Sequence, residues 1–247
     1  MMLTLLLSLF PAVPSQEPEK PPPPKQEFAR LSGLEQKSAQ EDLVALRRAE
    51  KDEQREAALV KLIGYGEGVI PFVFNATPKS IEVGRFADHA VVLDAVLTGA
   101  DLNLAWALLT KKSPDALRGY LVRRWADSDR KDAVEFLTPL LKEEGAGIAY
   151  QAGRGLLRRG DRAGAVVVME AMRTRWTKEA AALRADFAGL ERGPLADLPR
   201  ESLASNKLQE RLLGVRMFEL FGVQEQARLL IPMLSESDTS LRLAAIN

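Results

Sequence analysis

The 247-residue sequence predicts an all-α fold, a solenoid of stacked helical hairpins, and three observations carry that prediction. From about Ser38 onward apolar residues recur three and four apart, the spacing of one helix face. Alanine and leucine abound, aromatics make up only 6%, and no stretch alternates apolar and polar for long enough to make a strand. Large apolar residues also return at a period of about 31 residues, the mark of a repeat architecture.

In chain order, the first segment reads as a processing signal. Leu3, Leu5, Leu6, Leu7, Leu9 and Phe10 form a short apolar run, and small residues at Val13 and Ser15 suit cleavage before Gln16. The expectation is a signal peptide over 1–15 and an exported chain, periplasmic or secreted. No Lys or Arg precedes the run, so a plain apolar N-terminus on a cytoplasmic protein stays open. The run is too short to span a bilayer, which takes roughly 20 apolar residues. No other segment qualifies, so no membrane span is expected in the mature chain. Residues 16–37 carry Pro18 and Pro21 to Pro24 among Glu17, Glu19, Lys20 and Lys25. Such a stretch favours extended polyproline geometry and reads as a disordered linker, with a ligand for a proline-recognition domain as the alternative.

Residues 38–247 are the expected helical body. Ser113-Pro114-Asp115 places a capping serine before a first-turn proline and an acid. Gly64, Gly145, Gly160 and Gly222 stand where helices should stop. Columns beginning at Arg55, Phe86, Arg118, Ala149, Ala180, Arg211 and Arg242 are spaced 31, 32, 31, 31, 31 and 31 residues apart. Seven positions on stand Leu62, Leu93, Trp125, Leu156, Phe187 and Phe218; three positions on stand Ala58, His89, Leu121, Ala152, Leu183, Gly214 and Ala245. Offsets of three and seven share a helix face, so one buried stripe is presented per unit. A second apolar cluster follows in most units, as in Val69-Ile70-Pro71-Phe72, Phe136–Leu140, Val166–Met169 and Leu230-Ile231-Pro232-Met233. Each unit is then a helix, a turn and a helix, which buries its apolar face only by stacking on neighbours. Asn75–Gly84, a long inter-unit turn, and Gly193–Ser205, where Pro194 and Pro199 break the second helix, depart from the pattern. Such insertions serve binding in some repeats and are drift in others.

Asp52, Arg55, Ala58, Leu62, Gly64 and Ile70-Pro71 set out a pattern that returns in Asp115, Arg118, Leu121, Trp125 and Pro139, and again in Arg211, Phe218, Gly222 and Ile231-Pro232. This pattern resembles the HEAT and HEAT-like repeats, including the short bacterial variety, over roughly residues 38–247. The resemblance implies a right-handed α-solenoid of about six to seven units. It says little about activity, because the matching residues pack the solenoid. Asp238, Leu241, Arg242, Ala244 and Ala245 look like the opening of a further unit, and Leu241–Ile246 is not the polar cap a solenoid end needs. The sequence is therefore expected to be truncated within a repeat.

Composition narrows the chemistry. The absence of cysteine excludes disulfides, thiolate metal sites and a Cys nucleophile, and a single histidine leaves little for acid–base work near neutrality. Thirty-four Lys and Arg balance 34 Asp and Glu, so bulk attraction to nucleic acid is not expected. His89 has no recognisable nucleophile partner and reads as a partly buried residue bonded to a carbonyl or carboxylate. Gly64-Tyr65-Gly66-Glu67-Gly68 follows a helix, carries Glu67 and lacks a following Lys-Ser/Thr, so it reads as a turn and not a phosphate loop. Asp127-Ser128-Asp129-Arg130-Lys131-Asp132 reads as a solvated turn with local ion pairs. No catalytic, metal or cofactor residues emerge.

Basic residues are less evenly spread. Between Lys111 and Lys178 fifteen Lys and Arg face nine acids, an excess of six. Arg123-Arg124, Arg158-Arg159 and Arg173/Arg175 fall near equivalent helix ends, and Arg123, Arg124, Arg154, Arg158, Arg159 and Arg162 are the expected protein-binding residues, unless they serve as solubilising charge near helix C-termini. Trp125 and Trp176 nearby suggest base stacking, although Trp125 occupies the core column. The leading expectation is a non-enzymatic scaffold that binds another protein. The alternatives are nucleic-acid binding, since some HEAT-like solenoids are alkylpurine DNA glycosylases, or the repeat portion of a larger enzyme or lyase.

Overall fold

The computed structural model describes residues 27–77, 83–110, 112–143, 147–189 and 195–246, with side chains at 83–85 excepted. The expected signal peptide lies outside them, as do Pro78, Gly145, Gly193 and Pro194. Among the described residues the structure is helical throughout, with no strand.

Order begins earlier than residue 38. Helix α1 (Gly33–Arg48) opens on a capping box in which Ser32 Oγ accepts from the Glu35 amide and Glu35 Oε2 accepts from the Ser32 amide. Phe28, five residues before that helix, is already buried in the core, and the Ala29 amide donates to Glu67 Oε1 at 2.9 Å. The linker expected over 16–37 is thus corrected at its C-terminal end. Ser32-Gly33-Leu34-Glu35 spells a helix start that satisfies two orphan amides at once.

Helices then alternate between a principal one and a shorter helical return. The principal helices are α2 (Asp52–Gly64), α4 (Val83–Val96), α6 (Asp115–Asp127), α8 (Ile148–Leu157), α11 (Leu208–Phe221) and α13 (Thr239–Ile246). The returns are α3 (Ile70–Ala76), α5 (Leu102–Ala107), α7 (Ala133–Leu137), α10 (Leu198–Leu203) and α12 (Ile231–Leu234). Short 3-10 turns at Gly66–Val69, Gly99–Asp101 and Gln224–Leu230 lead into α3, α5 and α12, because the chain must reverse within a few residues. The long α9 (Ala165–Asp186) combines a return with the next principal helix, and Glu179 at its kink has φ −130° and ψ 20°. The break falls immediately before Ala180, where a unit was expected to begin, and it is a kink instead of a longer turn because residues 165–186 contain neither glycine nor proline.

Several start and stop signals act one step away from where they are read in sequence. Pro114 caps α6, while Ser113 Oγ accepts from the Thr110 amide at 2.9 Å and closes the preceding turn. Gly66, not Gly64, takes the left-handed conformation after α2, as Gly160 does after α8. Gly222 ends α11 in extended backbone. Pro199 sits in the first turn of α10, where a missing amide costs nothing, and opens that helix instead of breaking one.

The periodic column is the core. Leu62, Leu93, Trp125 and Leu156 are fully buried and Phe187 nearly so. Phe218 is only partly buried, because Leu213, Met217, Leu220 and Phe221 take the inward positions of α11. Consecutive elements pack on one another in the order α2, α4, α6, α8, α9, α11, α13. Close approach at α8 depends on missing side chains. A Cβ on Gly155 would stand 2.6 Å from Ala126 Cβ on α6, and one on Gly164 would overlap the Gly153 carbonyl. No single helix among the described residues is long and apolar enough to cross a membrane.

Candidate functional site

The principal helices are tied to one another by carboxylates and arginines about one repeat apart. Asp94 on α4 accepts from Tyr120 Oη at 2.8 Å and from Arg124 Nη1 at 2.6 Å, both on α6, while Arg124 Nη2 reaches the Leu97 carbonyl. Arg154 on α8 repeats the device in both directions. It donates to Asp127 Oδ1 at 2.7 Å on α6 and stands 3.8 Å from Asp186 Oδ1 at the end of α9. Asp186 also accepts from Tyr150 Oη at 2.6 Å. Burial, and then the bonded carboxylate, push the Tyr120 and Tyr150 hydroxyls above the ordinary tyrosine range, so both remain donors.

This arrangement redistributes the six arginines singled out in the sequence. Arg154 has a side chain only 5% exposed, and its charge is spent between helices. Arg159 donates to the carbonyls of Ala126 at 2.7 Å, Trp125 at 3.2 Å and Ser128, which collects orphan carbonyls at the end of α6, and to the Gly155 carbonyl of α8 at 2.8 Å. Burial lowers its pKa, as expected of a cation held among dipoles without a bonded carboxylate. Arg124 is half-buried and paired. A ridge of six free arginines is therefore corrected. Arg123, Arg158 and Arg162 are exposed; Arg158 reaches the Asp186 carbonyl at 3.3 Å, and Arg123 and Arg162 make no hydrogen bond or ion pair.

Three of the six, Arg123, Arg124 and Arg154, line a groove of about 810 Å³ together with Arg130. Asp94, Asp127, Asp129 and Asp186 line it too, so guanidinium and carboxylate groups are equal in number. Arg130 is held by Asp132 at 2.6 Å and by the Gly99 carbonyl at 3.1 Å, with its guanidinium 4.7 Å from the centroid of the Trp125 ring. Asp129, like Arg123, makes no hydrogen bond or ion pair. Among the described residues the groove thus presents one cation and one anion with no hydrogen bond or ion pair, beside paired ones. The Arg130–Asp132 pair is the local ion pairing expected of the Asp127–Asp132 turn, whereas the contribution of Asp94 and Asp186 is not visible in sequence, because their partners lie about 30 residues away.

The other sequence candidates resolve into packing. His89 is buried; Thr77 Oγ1 lies 2.8 Å from its Nδ1 and 2.7 Å from the Val73 carbonyl, so its partner is a hydroxyl where a carbonyl or carboxylate was expected. The Gly64–Gly68 segment is an inter-helix turn whose Glu67 anchors Ala29. Trp125 is fully buried and stacked on Phe136 with centroids 4.1 Å apart, and Trp176 is buried with Arg184 and Arg216 over its ring. Neither is placed to stack on a base. Among the described residues no group of three or more His, Asp or Glu side chains is disposed to hold a metal ion. Comparison with family models, with curated proteins and with solved structures found no match.

Proposed function

We propose that this chain is a non-enzymatic scaffold, a right-handed α-solenoid of about six to seven HEAT-like units that binds another protein through its extended surface. The nearest-neighbour packing of the helices and the buried periodic column support the solenoid reading. The observation that carries the binding reading is the groove between Asp94 and Asp186, where, among the described residues, Arg123 and Asp129 form no hydrogen bond or ion pair while their neighbours are paired. A surface of equal and opposite charges suits the mixed acidic and basic side chains of a protein, and steers and registers it more than it attracts it. It does not suit a polyphosphate backbone, which four carboxylates would repel.

The test uses the exposed, unpaired pair, so the fold is not disturbed. Wild-type chain and an Arg123→Glu/Asp129→Lys variant would be used as baits in extract of the native host, with salt raised in steps. The proposal expects a defined partner held by the wild type, released by salt and lost from the variant. Equal capture by both proteins removes the groove from the interface. Export is part of the same proposal and rests on the Leu3–Phe10 run; a mature chain beginning at Gln16 is expected, and retention of Met1 would sink it.

A further inference from the structure

A second concavity, remote in sequence from the charged groove, has a different chemistry. It measures about 330 Å³ and is built by one face each of α1, α3 and α4. Leu43 and Val44 of α1 and Phe72 and Ala76 of α3 supply an apolar lining. Gln40 and Arg47, one turn to either side of that apolar pair, supply polar ends, with Asn75 and His89 from α3 and α4. Positions 40, 43, 44 and 47 share a helix face by their spacing, so α1 alone presents an amide, two aliphatic groups and a guanidinium in line.

The polar groups around this pocket are unspent. Among the described residues, Gln40, Arg47 and Asn75 form no hydrogen bond or ion pair. That contrasts with Arg124, Arg130, Arg154 and Arg159, each engaged by carboxylates or carbonyls. Among the described residues no carboxylate lines the pocket, and Arg47 contributes a cation to it. The histidine is oriented as well. Thr77 Oγ1, 2.8 Å from Nδ1, fixes the ring, and among the described residues Nε2 has no protein partner.

The geometry points to a binding pocket for a small carboxylic acid with an apolar body. Arg47 takes the carboxylate through its planar fork, the Gln40 and Asn75 amides are further donors, and Phe72, Leu43 and Val44 cover the hydrocarbon. Pockets of roughly 300 Å³ and upward hold small ligands, and a cavity half this size admits a benzene ring, so an arylacetate or a medium-chain alkanoate is the right scale. Burial is the main influence holding the His89 pKa down; Asp88 on its own helix, paired with Arg55 at 3.7 Å, favours the charged ring, and Arg47 across the pocket opposes it. A carboxylate on Arg47 removes that opposition, so binding and protonation of His89 are coupled.

The single histidine makes the test direct, because its ring gives one imidazole resonance in the full chain. Phenylacetate is titrated while the His89 ring is followed by NMR, with phenylacetamide as the uncharged match. A blocked peptide ending in phenylalanine with a free carboxylate forms a third arm. Phenylacetate should shift the ring resonance saturably, with Kd of order 1 mM or tighter, and raise the His89 pKa. Phenylacetamide should do neither. Arg47→Gln, at an exposed position whose loss leaves the circular dichroism unchanged, should weaken phenylacetate at least tenfold. The proposal is overturned by no shift with phenylacetate, by an equal shift with the amide, or by undiminished binding to the variant. Peptide binding as tight as phenylacetate reassigns the pocket to chain ends and also overturns it.

Discussion

Arg154 shows what a single charged side chain contributes when it is enclosed between repeats. Its guanidinium meets Asp127 on one neighbour and Asp186 on the next, with Gln151 on its own helix. Both carboxylates stay partly exposed, at 43% and 30%, so the pairing is worth less than in a dry interior. Arg154→Ala is expected to cost about 2 kcal/mol and, at roughly 2–4 °C per kcal/mol for a chain of this size, to lower the melting midpoint by several degrees. Arg162→Ala, exposed and unbonded, should move it by no more than about 0.5 kcal/mol. Thermal melts of both variants decide whether Arg154 is a clamp or surface charge. His89 yields a second prediction at this scale. Burial holds its pKa below the ordinary 6.5, so the folded chain keeps the ring neutral where the unfolded chain would protonate it. Stability from this residue is therefore complete above about pH 6.5 and is lost as pH falls through the folded value. Urea midpoints should drop between pH 7.5 and pH 5.5 in the wild type and change less in His89→Asn, which keeps a donor near the Nδ1 position. Parallel pH profiles for the two proteins would contradict this.

Whole helices are placed by what they lack as much as by what they carry. Helix α8 can lie against α6 because Gly155 presents only a hydrogen to Ala126 and Leu137. Gly155→Ala forces a methyl into that contact and is expected to cost about 1–3 kcal/mol. Gly33→Ala in the first turn of α1, with open space around its Cβ, should be neutral or slightly stabilising. Denaturant midpoints for the pair test whether glycine in α8 is a packing requirement, and equal midpoints would count against it. Legibility at this scale follows the same physics. The helix periodicity and the buried column of Leu62, Leu93, Trp125 and Leu156 could be read from sequence, because a packed face imposes its spacing on the residues that fill it. The kink at Glu179 falls where the 31-residue spacing places a boundary before Ala180, and the lack of any glycine or proline over 165–186 keeps it a kink with no intervening loop. Ser113 misled because its hydroxyl served the turn before it and not the helix after it.

For the molecule as a whole, the candidate groove was legible only in part, and the reason is distance along the chain. Arg123, Arg124 and Arg154 stood out as clustered charge, yet which of them remained free was decided by Asp94 and Asp186, about one repeat away on either side. Charge patterns read locally cannot distinguish a paired arginine from a free one. The same one-repeat reach shapes stability. Elements pack mainly on their near neighbours along the chain, and the buried apolar residues fall into three successive clusters. The last of these is the smallest, built on Leu203, Val215, Met233 and Leu241. Coupling that passes only between neighbours lets one end open without the rest. Leu241→Ala, at a fully buried position on α13, should cost about 2–5 kcal/mol locally. In hydrogen exchange followed by mass spectrometry, peptides from α11 to α13 should lose protection, while peptides from α2 to α6 keep that of the wild type. Uniform loss of protection across the chain would instead mean one cooperative core, and would count against both the stacked-unit architecture and the scaffold built on it.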